Sequence, residues 1–268
     1  MRITFLGTGT SHGVPMLDCL LNNYVRCEHR LCEKALTDAR YRRTRASILV
    51  EQDGFHLLID TSQDFRQQML ANRVKRIDAV LFTHTHADHI YGLPDIRSYS
   101  DQQHQAIDIY GSPETLESLA ESFRYIFAPT GFVGGGVPML QPHELTAPRM
   151  VGPFAVEPIH VEHGPLNGCQ GYRLGGREGG VAYIPDAKTI PAESLAALGG
   201  LDLLILNCLR PRPHPTHLSL AESLAYASAL APRRCLFTHM THDIDPDVHS
   251  AQLPPWAAFA YDGQTVEV

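Results

Sequence analysis

The feature that most constrains this chain is the apolar run Ala79-Val80-Leu81-Phe82 followed at once by Thr83-His84-Thr85-His86-Ala87-Asp88-His89. The run reads as a buried strand. His84, His86, Asp88 and His89 therefore fall where a strand gives way to a turn, the carboxyl edge at which α/β proteins usually place their sites. His84 and His86 are two residues apart and face one side of an extended segment. Asp88 and His89 follow in the turn and face a second point, so the arrangement supplies two metals rather than one. A merely polar surface turn is the bland alternative, and a costly one to build from His and Asp behind a buried strand.

The 268 residues are 44% hydrophobic and 19% charged, enough for one large domain or two small ones. A formal net charge of −7 and a pI near 6.1 give no global pull toward nucleic acid. Residues 1–7 run straight into strand-like sequence without a basic segment and a long apolar one, and no apolar run approaches the ~20 residues of a membrane span. A cytoplasmic, membrane-free protein is expected. Six cysteines, Cys19, Cys27, Cys32, Cys169, Cys208 and Cys235, then read as thiols or metal ligands rather than disulfides.

Along the chain, a strand over 2–6 ends in the tight loop Gly7-Thr8-Gly9-Thr10-Ser11, and residues 16–45 read as irregular. Asp53-Gly54 marks a hairpin between Ile48-Leu49-Val50 and Phe55–Ile59. Thr61 or Ser62 caps a helix carrying Phe65, Met69 and Leu70. Helices are predicted over 92–99, 113–125 and 219–230. Strands are predicted at 107–110, 154–161, 169–174, 180–184, 201–206 and 235–238. Residues 128–153, with Gly134-Gly135-Gly136, read as a loop, and residues 259–266 as a hairpin with a type I′ turn at Asp262-Gly263. Leu81-Phe82-Thr83-His84 recurs as Leu236-Phe237-Thr238-His239, an echo that fits two similar αβ halves each ending a strand on a ligand.

Two metals about 3.5–4 Å apart need more than four ligands. Three strand-end residues can supply them: His163 after the strand near 154–161, Asp186 after Val181–Ile184, and His239 after 235–238. Each alone could be a polar turn residue; together, at three strand ends, they complete a site. His217, just ahead of the helix at Ser219, is placed to donate a proton to a leaving oxygen. His12 could face the same cavity, and His160 and His214 are left undecided.

His84, His86, Asp88 and His89 complete the H-x-H-x-D-H signature, and the chain resembles the metallo-β-lactamase superfamily. That resemblance implies an α/β fold, an αββα sandwich of two mixed sheets flanked by helices, here as one hydrolase domain over 1–268. It implies His84, His86 and His163 on one metal, Asp88, His89 and His239 on the other, and Asp186 between them. Asp60 matches a superfamily position that supports the site without binding metal, although a helix-capping Asp is the alternative. The opening Gly7–Pro15 and the run Asp60–Arg66 resemble the branch holding the phosphonate-pathway cyclic phosphate phosphodiesterases and, further off, ribonuclease Z. By that resemblance Cys19, Cys27, Cys32 and His242 hold a structural zinc, in a zinc-binding loop at about 16–45. The gaps of seven and four residues depart from the family's tighter cysteine run, and His29 could replace one ligand. The basic bias of the loop, from Arg26 to Arg45, reads first as a solvated face.

The reading is a dinuclear metal-dependent phosphoric diester hydrolase with Mn²⁺ or Zn²⁺ in the active site and one structural Zn²⁺. Asp88 and His217 are the catalytic residues. The partner is a small-molecule phosphodiester, a cyclic phosphate such as 5-phosphoribosyl 1,2-cyclic phosphate by resemblance. Nucleic acid is not expected, and a homodimer is compatible with the sequence. A tRNA 3′-end endonuclease, or a cofactor-biosynthesis protein of the same fold, is the alternative.

Overall fold

The computed structural model describes residues 1–128, 136–176 and 179–268. Among the described residues the strands are β1 (Arg2–Gly7), β2 (Ser47–Gln52), β3 (Phe55–Ile59), β4 (Ala79–Leu81), β5 (Ile107–Gly111), β6 (Leu140–Glu144), β7 (Arg149–Val151), β8 (Phe154–His160), β9 (Gln170–Leu174), β10 (Val181–Ile184), β11 (Leu203–Asn207), β12 (Arg234–Thr238), β13 (Ala257–Phe259) and β14 (Thr265–Glu267). They form two seven-stranded sheets, β14-β1-β2-β3-β4-β5-β6 and β13-β12-β11-β10-β9-β8-β7. Each sheet mixes pairings: β2–β3 is antiparallel and β3–β4–β5–β6 parallel, while β8–β9–β10 is antiparallel and β10–β11–β12–β13 parallel.

The alternation of side chains along these strands explains why two sheets stack and helices cover both outer faces. Leu57, Ile59, Ala79 and Leu81 meet Val181, Tyr183, Leu203 and Ile205 in the core between the sheets. Their neighbours Leu58, Val80 and Phe82 point the other way, with Phe65, Met69 and Leu119 of the helices Phe65–Ala71 and Pro113–Ser122. Ala182, Ile184, Leu204 and Leu206 face the opposite outer layer, with Leu220 and Ala227 of the helix Leu220–Leu230. Strands buried on both faces must read as unbroken apolar runs, and the runs at 79–82 and 203–206 do. Burying one such Leu stabilises by about 1.5–3 kcal/mol. The architecture is the αββα sandwich of two mixed sheets.

Several local expectations are sharpened or corrected. The β2–β3 hairpin turns at Asp53-Gly54, both with positive φ (52° and 79°), as a type I′ turn requires. The residues 16–45 are not irregular throughout: they carry the helices Leu17–Leu21 and Leu31–Thr37 around a small core of Val14, Leu31, Ala35 and three cysteines. The 128–153 stretch holds β6 and β7, whereas Gly134 and Gly135 lie outside the described residues. The helix at Phe65 is preceded by Asp64 as its N-cap, with the backbone N–H of Asp64 donating to Ser62 Oγ at 3.1 Å. The C-terminal hairpin does not form. β13 pairs with β12 in one sheet and β14 with β1 in the other. Asp262 between them is half-buried and accepts from Thr8 Oγ1 (2.8 Å), Thr44 N and Thr44 Oγ1 (both 2.7 Å), which carries the chain across from sheet to sheet. Among the described residues no helix is long and apolar enough to cross a membrane.

Candidate metal centre

The parallel strands β4, β10 and β12 end on one side of the sandwich, and each passes a ligand-bearing residue into the same cleft. β4 leads to His84, and the short helix Ala87–Ile90 that follows carries Asp88 and His89. β10 leads to Asp186 and β12 to His239, while the loop after β8 adds His163. The echo of Leu81–His84 in Leu236–His239 thus has a structural meaning: Leu81 and Leu236 both enter the core between the sheets, Phe82 and Phe237 both enter outer layers, and each strand delivers a histidine.

The donor atoms gather in four overlapping sets, each within 4.8 Å: His84, His86 and His163; Asp88, His89 and His239; His84, His89 and Asp186; and His163, Asp186 and His217. His86 Nδ1 lies 3.0 Å from His84 Nε2 and 3.2 Å from His163 Nε2. Asp88 Oδ2 lies 3.3 Å from His89 Nε2 and 3.4 Å from His239 Nε2. Asp186 sits between the sets, with Oδ2 2.9 Å from His89 Nε2 and Oδ1 3.3 Å from His239 Nε2. His217, a fourth neighbour, brings Nε2 to 2.8 Å from Asp186 Oδ1. The seven residues expected as ligands and the expected proton donor are therefore in one place.

The second layer sets the histidine tautomers. His89 Nδ1–H donates to Asp60 Oδ2 at 2.8 Å. Asp60 also accepts from Thr83 N and from Thr83 Oγ1 (both 2.8 Å), and Thr83 Oγ1 in turn is 3.0 Å from His84 Nδ1. His163 Nδ1–H donates to Thr216 O at 2.8 Å. In each case the Nδ1 proton is engaged, leaving the Nε2 lone pair turned into the cleft, as metal ligation requires. Asp60 is thus an orienting residue and not a helix cap. Asp60 and His239 hold positive φ (65° and 57°), a conformation costly for residues other than glycine and concentrated at functional sites.

These residues fit divalent cations on two observations. Both oxygens of Asp186 and His89 Nε2 are buried with no hydrogen-bond partner of proper geometry, an expense met when a cation occupies the space. Burial pushes His84 well below its ordinary range and His163 down to about 4, so both are neutral donors. His89 differs: burial works against its charge, but Asp88, Asp60 and Asp186 hold it well above its ordinary range. Burial works against the charge on Asp88 and Asp186, yet the surrounding histidines, His89 among them, hold both carboxylates well below their usual range; a cation would supply the positive charge these carboxylates face. An imidazole-carboxylate donor set suits Zn²⁺ or Mn²⁺.

A second group forms apart from the cleft. Cys19, Cys27, Cys32 and His242 bring their donor atoms within 4.8 Å. Cys19 Sγ is 3.0 Å and Cys32 Sγ 3.4 Å from His242 Nδ1. Met16 N–H points at Cys32 Sγ (3.3 Å), and Cys32 N–H at Cys27 Sγ (3.4 Å). His29 is not in this group; its ring stacks edge-on against His249. His12 is exposed and acts electrostatically on His242. The sequence reading gave Thr83 and Thr216 no role and left His214 undecided. Thr83, at the end of a strand and next to a ligand, carried a signal in its place beside His84.

Fold and cleft together define a metallo-hydrolase. A family model of the beta-lactamase superfamily domain matches residues 56–240. A crystal structure described as a new diphosphatase from the PhnP family is 35% identical, with a TM-score of 0.86 over 100% of this chain and 97% of that one. Zn(2+)-bound PqqB from Methylobacterium extorquens, 22% identical, has a TM-score of 0.79 over the full length of both chains and shows the same fold. An octanoyltransferase of Porphyromonas gingivalis is 34% identical over 268 residues, and a ribonuclease Z of a Bradyrhizobium strain is 32% identical over 79 residues. This chain spans about half the length of the former and about a quarter of the latter. The chain belongs to the metallo-β-lactamase superfamily and, within it, to the PhnP family.

Proposed function

We propose that this protein is a dinuclear metal-dependent phosphodiesterase that hydrolyses a small cyclic phosphate, 5-phosphoribosyl 1,2-cyclic phosphate being the named candidate. The observation that carries the reading is Asp186. Its two buried oxygens face only imidazole nitrogens, His89 Nε2 at 2.9 Å, His217 Nε2 at 2.8 Å and His239 Nε2 at 3.3 Å, with no hydrogen-bond partner of proper geometry, which suits a carboxylate shared by two cations.

In this reading His84, His86 and His163 would hold one cation and Asp88, His89 and His239 the other, with Asp186 available to both. Bound there, the ions would supply a nucleophile near neutral pH and neutralise charge on the phosphoryl group. The chain's own contribution is geometric and protic. Asp60, Thr83 and the carbonyl of Thr216 keep the imidazoles pointed inward. Asp88 anchors its side of the cleft between His89 and His239. His217, half-buried at the rim, donates from Nε2 to the leaving oxygen. Cys19, Cys27, Cys32 and His242 hold a structural Zn²⁺ that fixes the 16–45 loop, whose own core is too small to do so.

The diphosphatase likeness fits the same in-line displacement at phosphorus, so a diphosphate belongs in the test. The octanoyltransferase name covers a protein twice the length matched here, and the RNase Z matches cover about a quarter of those proteins. Metal-loaded protein should be assayed against cyclic phosphates, linear diesters, diphosphates, thioesters and pre-tRNA. The expected result is the highest kcat/KM on a cyclic phosphate; a preference for thioesters or pre-tRNA overturns the proposal.

A further inference from the structure

The loop between Asn207 and the helix at Leu220 carries Pro211, Pro213 and Pro215 and is closed at its base by Leu209 N–H donating to Leu218 O (2.9 Å). Within it, Arg210 Nη2 donates to Pro213 O at 3.0 Å. This stiff loop presents three side-chain groups to one another: His214, Thr216 and His217. Thr216 N–H donates to His214 Nδ1 at 3.3 Å, which makes that nitrogen an acceptor and puts the His214 proton on Nε2. Thr216 Oγ1 lies 3.2 Å from the same nitrogen and 2.9 Å from His217 Nδ1, and the two Nδ1 atoms are 3.1 Å apart.

One assignment gives every donor an acceptor, with the single lone pair of His214 Nδ1 shared between Thr216 N–H and Thr216 Oγ1–H. His217 Nδ1–H donates to Thr216 Oγ1, and Thr216 Oγ1–H donates to His214 Nδ1. If His217 turns directly to His214 instead, the acceptor at the end is the same. We infer that His214 is a positioning residue for His217: its Nδ1 lone pair terminates the hydrogen-bond chain that keeps a proton on His217 Nδ1 and aims His217 Nε2 into the cleft. This follows the general arrangement in which an acid or base is oriented by a third group, and it rests on the proposed role of His217 as proton donor. Burial, with His217 and Arg210 nearby, holds His214 below the ordinary histidine range, in keeping with a neutral acceptor.

In the step itself the P–O bond breaks, its electron pair leaves with the departing oxygen, and the proton on His217 Nε2 moves to that oxygen. His217 is left neutral with its Nδ1 proton still held by Thr216. Losing the acceptor lets the ring turn or change tautomer, which matters most when the leaving group cannot depart unprotonated.

The test compares methyl p-nitrophenyl phosphate with methyl phenyl phosphate, whose leaving group is poorer. For His214→Leu, kcat on the phenyl ester should fall by roughly 30-fold and on the p-nitrophenyl ester by roughly threefold, with KM within about twofold. His214→Gln, whose amide oxygen can accept, should recover most of the loss, and Thr216→Val should resemble His214→Leu. Metal content and melting temperature are read alongside; if His214→Leu fails to fold or load, Thr216→Val carries the test. Equal losses on both esters, or no recovery in His214→Gln, overturn the inference. His217→Ala run in parallel separates the two levels. If it too shows no leaving-group dependence, the proton-donor role falls; if it shows the dependence and the His214 variants do not, the positioning role alone falls.

Discussion

The two side-chain clusters of this molecule are built from overlapping chemistry and put to different ends. The cleft cluster mixes imidazole and carboxylate, ends parallel strands of both sheets, and keeps an open side where His86 is exposed and His217 half-buried. The cysteine cluster uses three thiols and one imidazole from two short helices and the turns beside them, away from the sheets, with Cys19, Cys27 and Cys32 all buried. Catalytic zinc sites keep an open position and structural ones are closed. In the proposed reading, the same chain places chemistry at rigid sheet edges and a structural ligand cluster where the sheet offers no support.

Breaking the cleft should have the largest effect. His84→Ala and Asp186→Ala should each lower hydrolysis of bis(p-nitrophenyl) phosphate by roughly a thousandfold or more, since each removes several kcal/mol of transition-state stabilisation. Normal turnover in either variant would remove the site. Next, His217→Ala should cost roughly 10²–10⁴-fold on esters with poor leaving groups and far less on p-nitrophenyl esters. Asp60→Asn keeps the shape but weakens the acceptor for His89 and Thr83, and should cost about 10–100-fold in metal affinity or activity, read by metal titration.

The smallest effect expected is on the seam joining the sheets. Burial raises Asp262 to about 6 despite hydrogen bonds from Thr44 and Thr8. Between its unfolded value of 3.8 and about 6 the folded chain keeps a proton that the unfolded chain releases. This contribution to stability is therefore present below about pH 4 and lost as pH rises through about 6, at most about 3 kcal/mol. The stability of wild type relative to Asp262→Asn should fall across that window in thermal melts. A difference independent of pH would show that Asp262 does not titrate there.

The cleft was largely legible in the sequence because its signals are local. His84, His86, Asp88 and His89 are packed into six residues, and His163, Asp186 and His239 each follow an apolar strand. The sandwich was legible for the same reason, through runs such as Leu203–Leu206 that must be covered on both faces. What escaped depends on contacts between distant segments. Thr216 acts on His163 through its carbonyl and on His214 and His217 through its hydroxyl, and nothing in Pro215-Thr216-His217 announces those directions. The Asp262-Gly263 turn misled because a strong hairpin signal was outweighed by a half-buried carboxylate bonded to Thr8 and Thr44, more than two hundred residues away. The cysteine cluster stood between these cases: its residues were identified, but only the fold could bring His242 to Cys19 and leave His29 aside.

The contrast between the clusters is tested most directly by counting metals per chain and measuring bis(p-nitrophenyl) phosphate turnover on wild type and Cys19→Ser together. The account predicts three metals in wild type and two in Cys19→Ser, a melting temperature lower by roughly 5–10 °C, and kcat within about fivefold of wild type. Two metals in wild type, unchanged by Cys19→Ser, or a collapse of kcat with no loss of metal, would contradict it.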